Sequence, residues 1–130
     1  EPMPWEIVQN YGVVDAVSAG TRLHKIRGMV EKPKREDAPS NLSIVGRYIL
    51  PPEIFQCLER TKPGAKGEIQ LTDGLLMLLK QEELFAYEFL GTRYDGGTPM
   101  GLLRASLEFA LARDDTREEI RSLLGSLNNQ

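Results

Sequence analysis

Glu31 and Lys32 stand side by side in "GMVEKPKRED", at the end of an apolar, strand-like run and directly before Pro33. A carboxylate and an ammonium are an odd ending for a core strand, which cannot bury such charge without a partner. Two roles fit the pattern. One is an exposed, solvated turn. The other is a strand end that delivers an acceptor and a cation to a bound polar, anionic ligand. A further carboxylate, Asp95, precedes two glycines in "RYDGGTP", where a simple turn residue would also be at home.

Other chemistries lack their residues. Cys57 is the only cysteine, so there is no internal disulfide framework and no thiolate-rich zinc site. His24 is the only histidine and sits in an alternating strand pattern far along the chain from Cys57, so both are assigned structural roles. With 16 Lys and Arg against 19 Asp and Glu the formal charge is −3, the wrong sign for coating a nucleic-acid backbone. "LLMLL" at 75–79 is far too short to span a bilayer, and no charged-then-apolar signal opens the chain. No nucleic-acid or membrane partner is expected, and the setting expected is cytoplasmic.

The elements that must position these residues follow from the apolar patterning. "NYGVVDAV" (10–17) and "LHKIRGMVEKP" (23–33) are expected to form an antiparallel pair across the Ser/Gly turn "SAGT". "LSIVGRYIL" (42–50) is predicted as another buried strand, interrupted at Gly46. "PPEIFQCLER" (51–60) predicts a helix with prolines in its first turn and Ile54, Phe55 and Leu58 on its apolar stripe. Leu75 to Lys80 predicts a second helix, capped by Thr72 or Asp73. "ELFAYEFLGTRYD" (83–95) predicts a strand, and 99–113 and 116–127 predict two amphipathic helices. The order of strands and helices fits α/β or α+β.

Four stretches, "YGVVD", "VEKPK…SNLSIVGRYIL", "PGAKGEIQLTD" and "RYDGGTPMGLLRA", together resemble the C-terminal half of the bacterial UTP–glucose-1-phosphate uridylyltransferases, within the sugar-phosphate nucleotidyltransferases. The resemblance runs from Glu1 to about Ala112. It implies an α/β fold: the C-terminal portion of a Rossmann-like, three-layer nucleotidyltransferase, with a mixed sheet and flanking helices. Residues 1–130 would be the sugar-phosphate-binding portion, with the nucleotide-binding half upstream and absent. The family's Gly-rich nucleotide loop has no counterpart here. "SAGTR" at 18–22 looks similar but precedes a strand rather than a helix, so it is expected to be a hairpin turn.

The activity so implied joins UTP and glucose 1-phosphate to give UDP-glucose and pyrophosphate with Mg²⁺, in a homo-oligomer. By the family pattern Lys32 supplies the catalytic ammonium to the sugar-linked phosphate, and Glu31 accepts hydrogen bonds from glucose hydroxyls. Gly12 matches a position where backbone approaches the sugar, although a β-bulge glycine fits it as well. Val45 and Gly46 match backbone lining the other side of the sugar, although ordinary strand packing fits them equally. Asp95 matches an aspartate that helps hold Mg²⁺, its usual companion lying in the missing half. Lys66 of "PGAKGE" replaces the usual small residue near the place where related thymidylyl enzymes carry a phosphate-reaching arginine, and is expected to be solvated. The alternatives are a non-catalytic sugar-phosphate-binding or oligomerisation module, and a thymidylyltransferase of the same superfamily. The 130 residues alone are expected to be inactive.

Overall fold

The computed structural model describes residues 1–64 and 67–128. They fall into two compact units, Glu1–Phe89 and Leu90–Gln130.

The first unit is built on the β1–β2 hairpin. β1 (Gly12–Gly20) pairs antiparallel with β2 (Leu23–Glu31), and β3 (Phe85–Tyr87) adds to the other edge of β2. The connection at Thr21 and Arg22 is a tight turn with Arg22 at φ +57°, so "SAGTR" closes a hairpin as expected. The register sets Gly12 opposite Glu31 and Val14 opposite Met29, then slips past Asp15, where Arg27 is the extra residue of a bulge. Arg27 Nη2 meets Asp15 Oδ1 there at 2.6 Å.

Alternation along β1 covers both faces of the sheet. Val13 joins Met3 and Val8 in one buried cluster. Val14 and Met29 face the other way, onto Ile54 and Cys57 of α1 (Glu53–Arg60) and Leu75 and Leu78 of α2 (Leu71–Leu78). Cys57 is a small buried hydrophobe of this core. His24, on the central strand β2, holds Glu88, just past β3, at 2.6 Å. The α/β class is as expected, and every strand pairing among the described residues is antiparallel.

Four expectations are corrected. Residues 42–50 are not a buried strand. Only 42–44 run beside β1, with Val14 N donating to the Leu42 carbonyl at 3.0 Å and Ile44 N to the Gly12 carbonyl at 2.8 Å. The backbone then leaves the sheet at Gly46, φ +74°, and Ile49 is fully exposed. The apolar stripe of α1 is Ile54, Cys57 and Leu58, and Phe55 points outward at 69% exposure, because the helix offers the core one face only. The strand expected over 83–95 is three residues long. Its ladder bonds stop at Glu88 N to the Arg22 carbonyl, in the hairpin turn from which β2 begins. Finally, α2 begins at Leu71 with Gln70 as its N-cap and no side-chain cap, so neither Thr72 nor Asp73 caps it.

The second unit is a pair of helices, α3 (Pro99–Ala112) and α4 (Arg117–Leu127), close to the expected bounds. Pro99 opens α3 and Thr98 caps it, accepting from Gly101 N at 3.0 Å. The last carbonyls of α3 are satisfied by side chains from the start of α4: Thr116 Oγ1 donates to Ala110 at 2.7 Å and Arg117 Nε to Leu111 at 2.9 Å. Tyr94 and Arg104 hold the two oxygens of Glu108, at 2.6 and 2.7 Å. The Tyr94 hydrogen bond, then that of Arg104, keeps the Glu108 carboxyl below the usual glutamate range. Among the described residues, no helix is long and apolar enough to cross a membrane.

Candidate functional site

The charged end of β2 is where the sequence-predicted residues of the first unit converge. Glu31 closes β2 opposite Gly12, and Lys32 extends the ladder by one rung, its N–H donating to the Tyr11 carbonyl at 3.1 Å. Lys32 does so at φ +46°, in the left-handed region that a side-chain-bearing residue seldom adopts. That conformation costs about 1–3 kcal/mol and persists where the surroundings over-determine it. Pro33, buried, then takes the chain away from the sheet. The ammonium of Lys32 is 3.8 Å from Glu31 Oε1 and its side chain is 63% exposed, so it is available to an anion from solvent.

Glu31 is held more closely than its sequence position suggests. Thr72, buried at the start of α2, donates from Oγ1 to Glu31 Oε2 at 2.9 Å. On β1, a Cβ added at Gly12 would lie 2.9 Å from the same oxygen and 3.3 Å from Ile44 Cδ1. A methyl group at Gly12 would therefore push against the end of the Glu31 side chain. Gly12 itself lies outside the slipped part of the register, between Asp15 and Ala16, so it is not the bulge.

Ile44 leads directly into Val45, half-buried, and Gly46, exposed. A Cβ at Gly46 would meet nothing within 4 Å, which leaves open space beside its backbone. Two residues further on, burial and the nearby Glu31 charge raise the Tyr48 phenol above its ordinary value, so it remains a neutral O–H. Gly12, Glu31, Lys32, Val45 and Gly46 thus belong to one neighbourhood of the first unit. Thr72 and Tyr48 join it without having been expected there. The signal for Thr72 was the phrase "GEIQLTD" itself, whose hydroxyl looked like a helix cap.

Asp95 lies in the second unit and is exposed. Its Oδ1 accepts from Gly97 N at 2.9 Å, and a Cβ at Gly101 would lie 1.8 Å from its carbonyl oxygen. The turn is tied to the first turn of α3. No group of three or more His, Cys, Asp or Glu among the described residues could hold a metal. Mg²⁺ takes six oxygens, and Asp95 offers one exposed carboxylate with Oδ1 already engaged by the turn. Lys66 lies outside the described residues.

Known proteins resemble this chain along its length. The UTP–glucose-1-phosphate uridylyltransferase of Bacillus subtilis (strain 168) is 40% identical over 130 residues, which is 100% of this chain and 44% of the relative. The corresponding protein of Streptococcus pneumoniae serotype 4 is 42% identical over 130 residues, covering 99% of this chain and 44% of its own. Among solved structures, a UDP-glucose pyrophosphorylase complexed with UDP-glucose superposes with TM-score 0.81 at 45% identity, covering 87% of this chain and 43% of that one. A UTP-bound enzyme of the same kind from Acinetobacter baumannii gives 0.82 at 39% identity, covering 94% and 42%. The chain therefore spans less than half the length of each. A family model described as nucleotidyl transferase matches residues 2–111, and the chain belongs to that family.

Proposed function

We propose that this chain is the sugar-phosphate half of a UTP–glucose-1-phosphate uridylyltransferase. One observation carries the reading: the Glu31 carboxylate and Lys32 ammonium project from a single strand end, in a chain 40% identical throughout to such enzymes. The attacking phosphate oxygen of glucose 1-phosphate is already anionic at neutral pH, so the reaction needs no strong base. Its obstacle is repulsion from the triphosphate, about 4 kcal/mol for two unit charges ~4 Å apart at an effective dielectric near 20. Lys32 offsets that repulsion and orients the sugar-linked phosphate. Glu31, a carboxylate able to take more than one donor, accepts the sugar hydroxyls. Val45 and Gly46 line the opposite side with backbone, and Gly12 leaves Glu31 its room.

Bound Mg²⁺ would neutralise phosphate charge, with Asp95 as this chain's ligand. Asp95→Asn is expected to raise the Mg²⁺ concentration needed for half-maximal rate without lowering the melting temperature, because the amide oxygen still accepts from Gly97 N. An unchanged magnesium titration would return Asp95 to a turn role. A cytoplasmic setting belongs to the same reading and is supported by the free, buried Cys57. A homo-oligomer is supported by the exposed Leu102, Leu103 and Phe109 of α3.

The test is pyrophosphate release by the full-length protein with glucose 1-phosphate and either UTP or dTTP. Release with UTP is expected. A preference for dTTP would move the protein to the thymidylyl branch, and no release with either would leave a sugar-phosphate-binding module.

A further inference from the structure

We propose that Thr72 is a positioning residue for Glu31, a role that rests on the sugar-phosphate reading of this site. Thr72 reaches Glu31 across 41 residues of chain, from the first turn of α2 to the last residue of β2. Its side chain does not serve as the cap of its own helix, which starts at Leu71 after Gln70 without any side-chain cap. The hydroxyl instead binds a carboxylate oxygen from a position that is itself only 7% exposed.

The two oxygens of Glu31 are consequently unequal. Oε2 is enclosed by the Thr72 hydroxyl and by the surface of Gly12, with no room for a methyl group between. Oε1 is the one near the Lys32 ammonium, on the exposed side of the strand end. Thr72 holds the carboxylate in the one rotamer that offers Oε1 to a sugar hydroxyl while Lys32 meets the phosphate. Without that bond the side chain, 37% exposed, is free to swing into solvent or collapse onto Lys32. Either movement removes the acceptor and, in the second case, neutralises the cation. The contact ties the "GEIQLTD" stretch to the "VEKP" strand end.

The test uses Thr72→Val, which keeps the shape and deletes the hydroxyl, beside Thr72→Ser, which keeps the hydroxyl, both in the full-length protein. Thr72→Val is expected to raise KM for glucose 1-phosphate about tenfold or more, the usual scale for losing a hydrogen bond to a charged group. KM for UTP should stay within twofold, and Thr72→Ser should restore most of the loss. Calorimetric titration with glucose 1-phosphate, which needs no turnover, should show the same loss of affinity. A merely structural clip between α2 and β2 would lower the melting temperature and weaken both substrates together, and that result overturns the proposal. So does equal affinity for glucose 1-phosphate in wild type and Thr72→Val. If Thr72→Val fails to fold, Thr72→Ala decides: selective loss of sugar-phosphate affinity supports the role, and equal weakening of both substrates, or of neither, overturns it. Wild-type protein that binds no glucose 1-phosphate overturns the sugar-phosphate reading itself, a result distinguishable from binding that is indifferent to Thr72.

Discussion

Replacing Lys32 by alanine in the full-length protein is expected to lower turnover by on the order of a hundredfold or more, the scale of a fixed charge aimed at a transition state. Lys34→Ala, two residues on and exposed, should change it little. The backbone of Lys32 makes this substitution unusually informative. At φ +46° alanine inherits the strain of the left-handed conformation and loses only the ammonium. Lys32→Gly loses the ammonium and relieves the strain, so it should match the alanine variant in rate while melting at a higher temperature than it. Stability would then differ between the two variants while rate would not, which separates the cost of the backbone conformation from the loss of the ammonium. Steady-state kinetics and thermal unfolding of the two variants check the point. Near-normal turnover in either would remove Lys32 from the reaction.

The second large effect is expected at Gly101. Its missing side chain lets the start of α3 lie against the Asp95 turn, so an alanine Cβ would sit 1.8 Å from the Asp95 carbonyl oxygen and 2.8 Å from Thr98 Oγ1. The nearer atom is backbone, which cannot rotate aside, and the farther one is the cap of the helix. Gly101→Ala must therefore move the turn, the cap or both, and is expected to cost about 1–3 kcal/mol or more as an overpacking substitution. Gly96→Ala, one residue past Asp95, is the control, since its Cβ would meet nothing within 4 Å. Thermal unfolding should separate the two variants clearly. In the magnesium titration Gly101→Ala should resemble Asp95→Asn, because it displaces the same carboxylate. Only Gly101→Ala should also lower the melting temperature. Equal melting temperatures for Gly101→Ala and Gly96→Ala would show that the close approach is not required.

What could be known without the structure was local or carried by whole phrases. The β1–β2 hairpin followed from two β-rich runs around a Ser/Gly turn, and it formed with Arg22 in the turn. The two C-terminal helices followed from Pro99 and unbroken amphipathic patterning, and their bounds held to within a residue. Lys32 was singled out by the resemblance of "VEKP" and its companion stretches to the family pattern, and its place at the end of β2 followed from the strand-like run before it. For the hairpin and the helices the controlling interactions lie within a few residues of one another.

Tertiary structure decided whatever depended on a distant partner. Residues 42–50 have strand composition, yet only 42–44 find an edge to pair with, because β1 begins only at Gly12, beside Ile44, and Gly46 turns the chain away. Phe55 has the larger apolar side chain, yet Cys57 is the one buried, because the helix packs Ile54, Cys57 and Leu58 against the sheet. Gly12 and Glu31 are 19 positions apart in sequence, and only the register of the hairpin sets one against the other. Thr72 reads in the sequence as a cap of its own helix. Folding starts that helix at Leu71 and brings the Glu31 carboxylate within 2.9 Å, so the hydroxyl takes the charged acceptor.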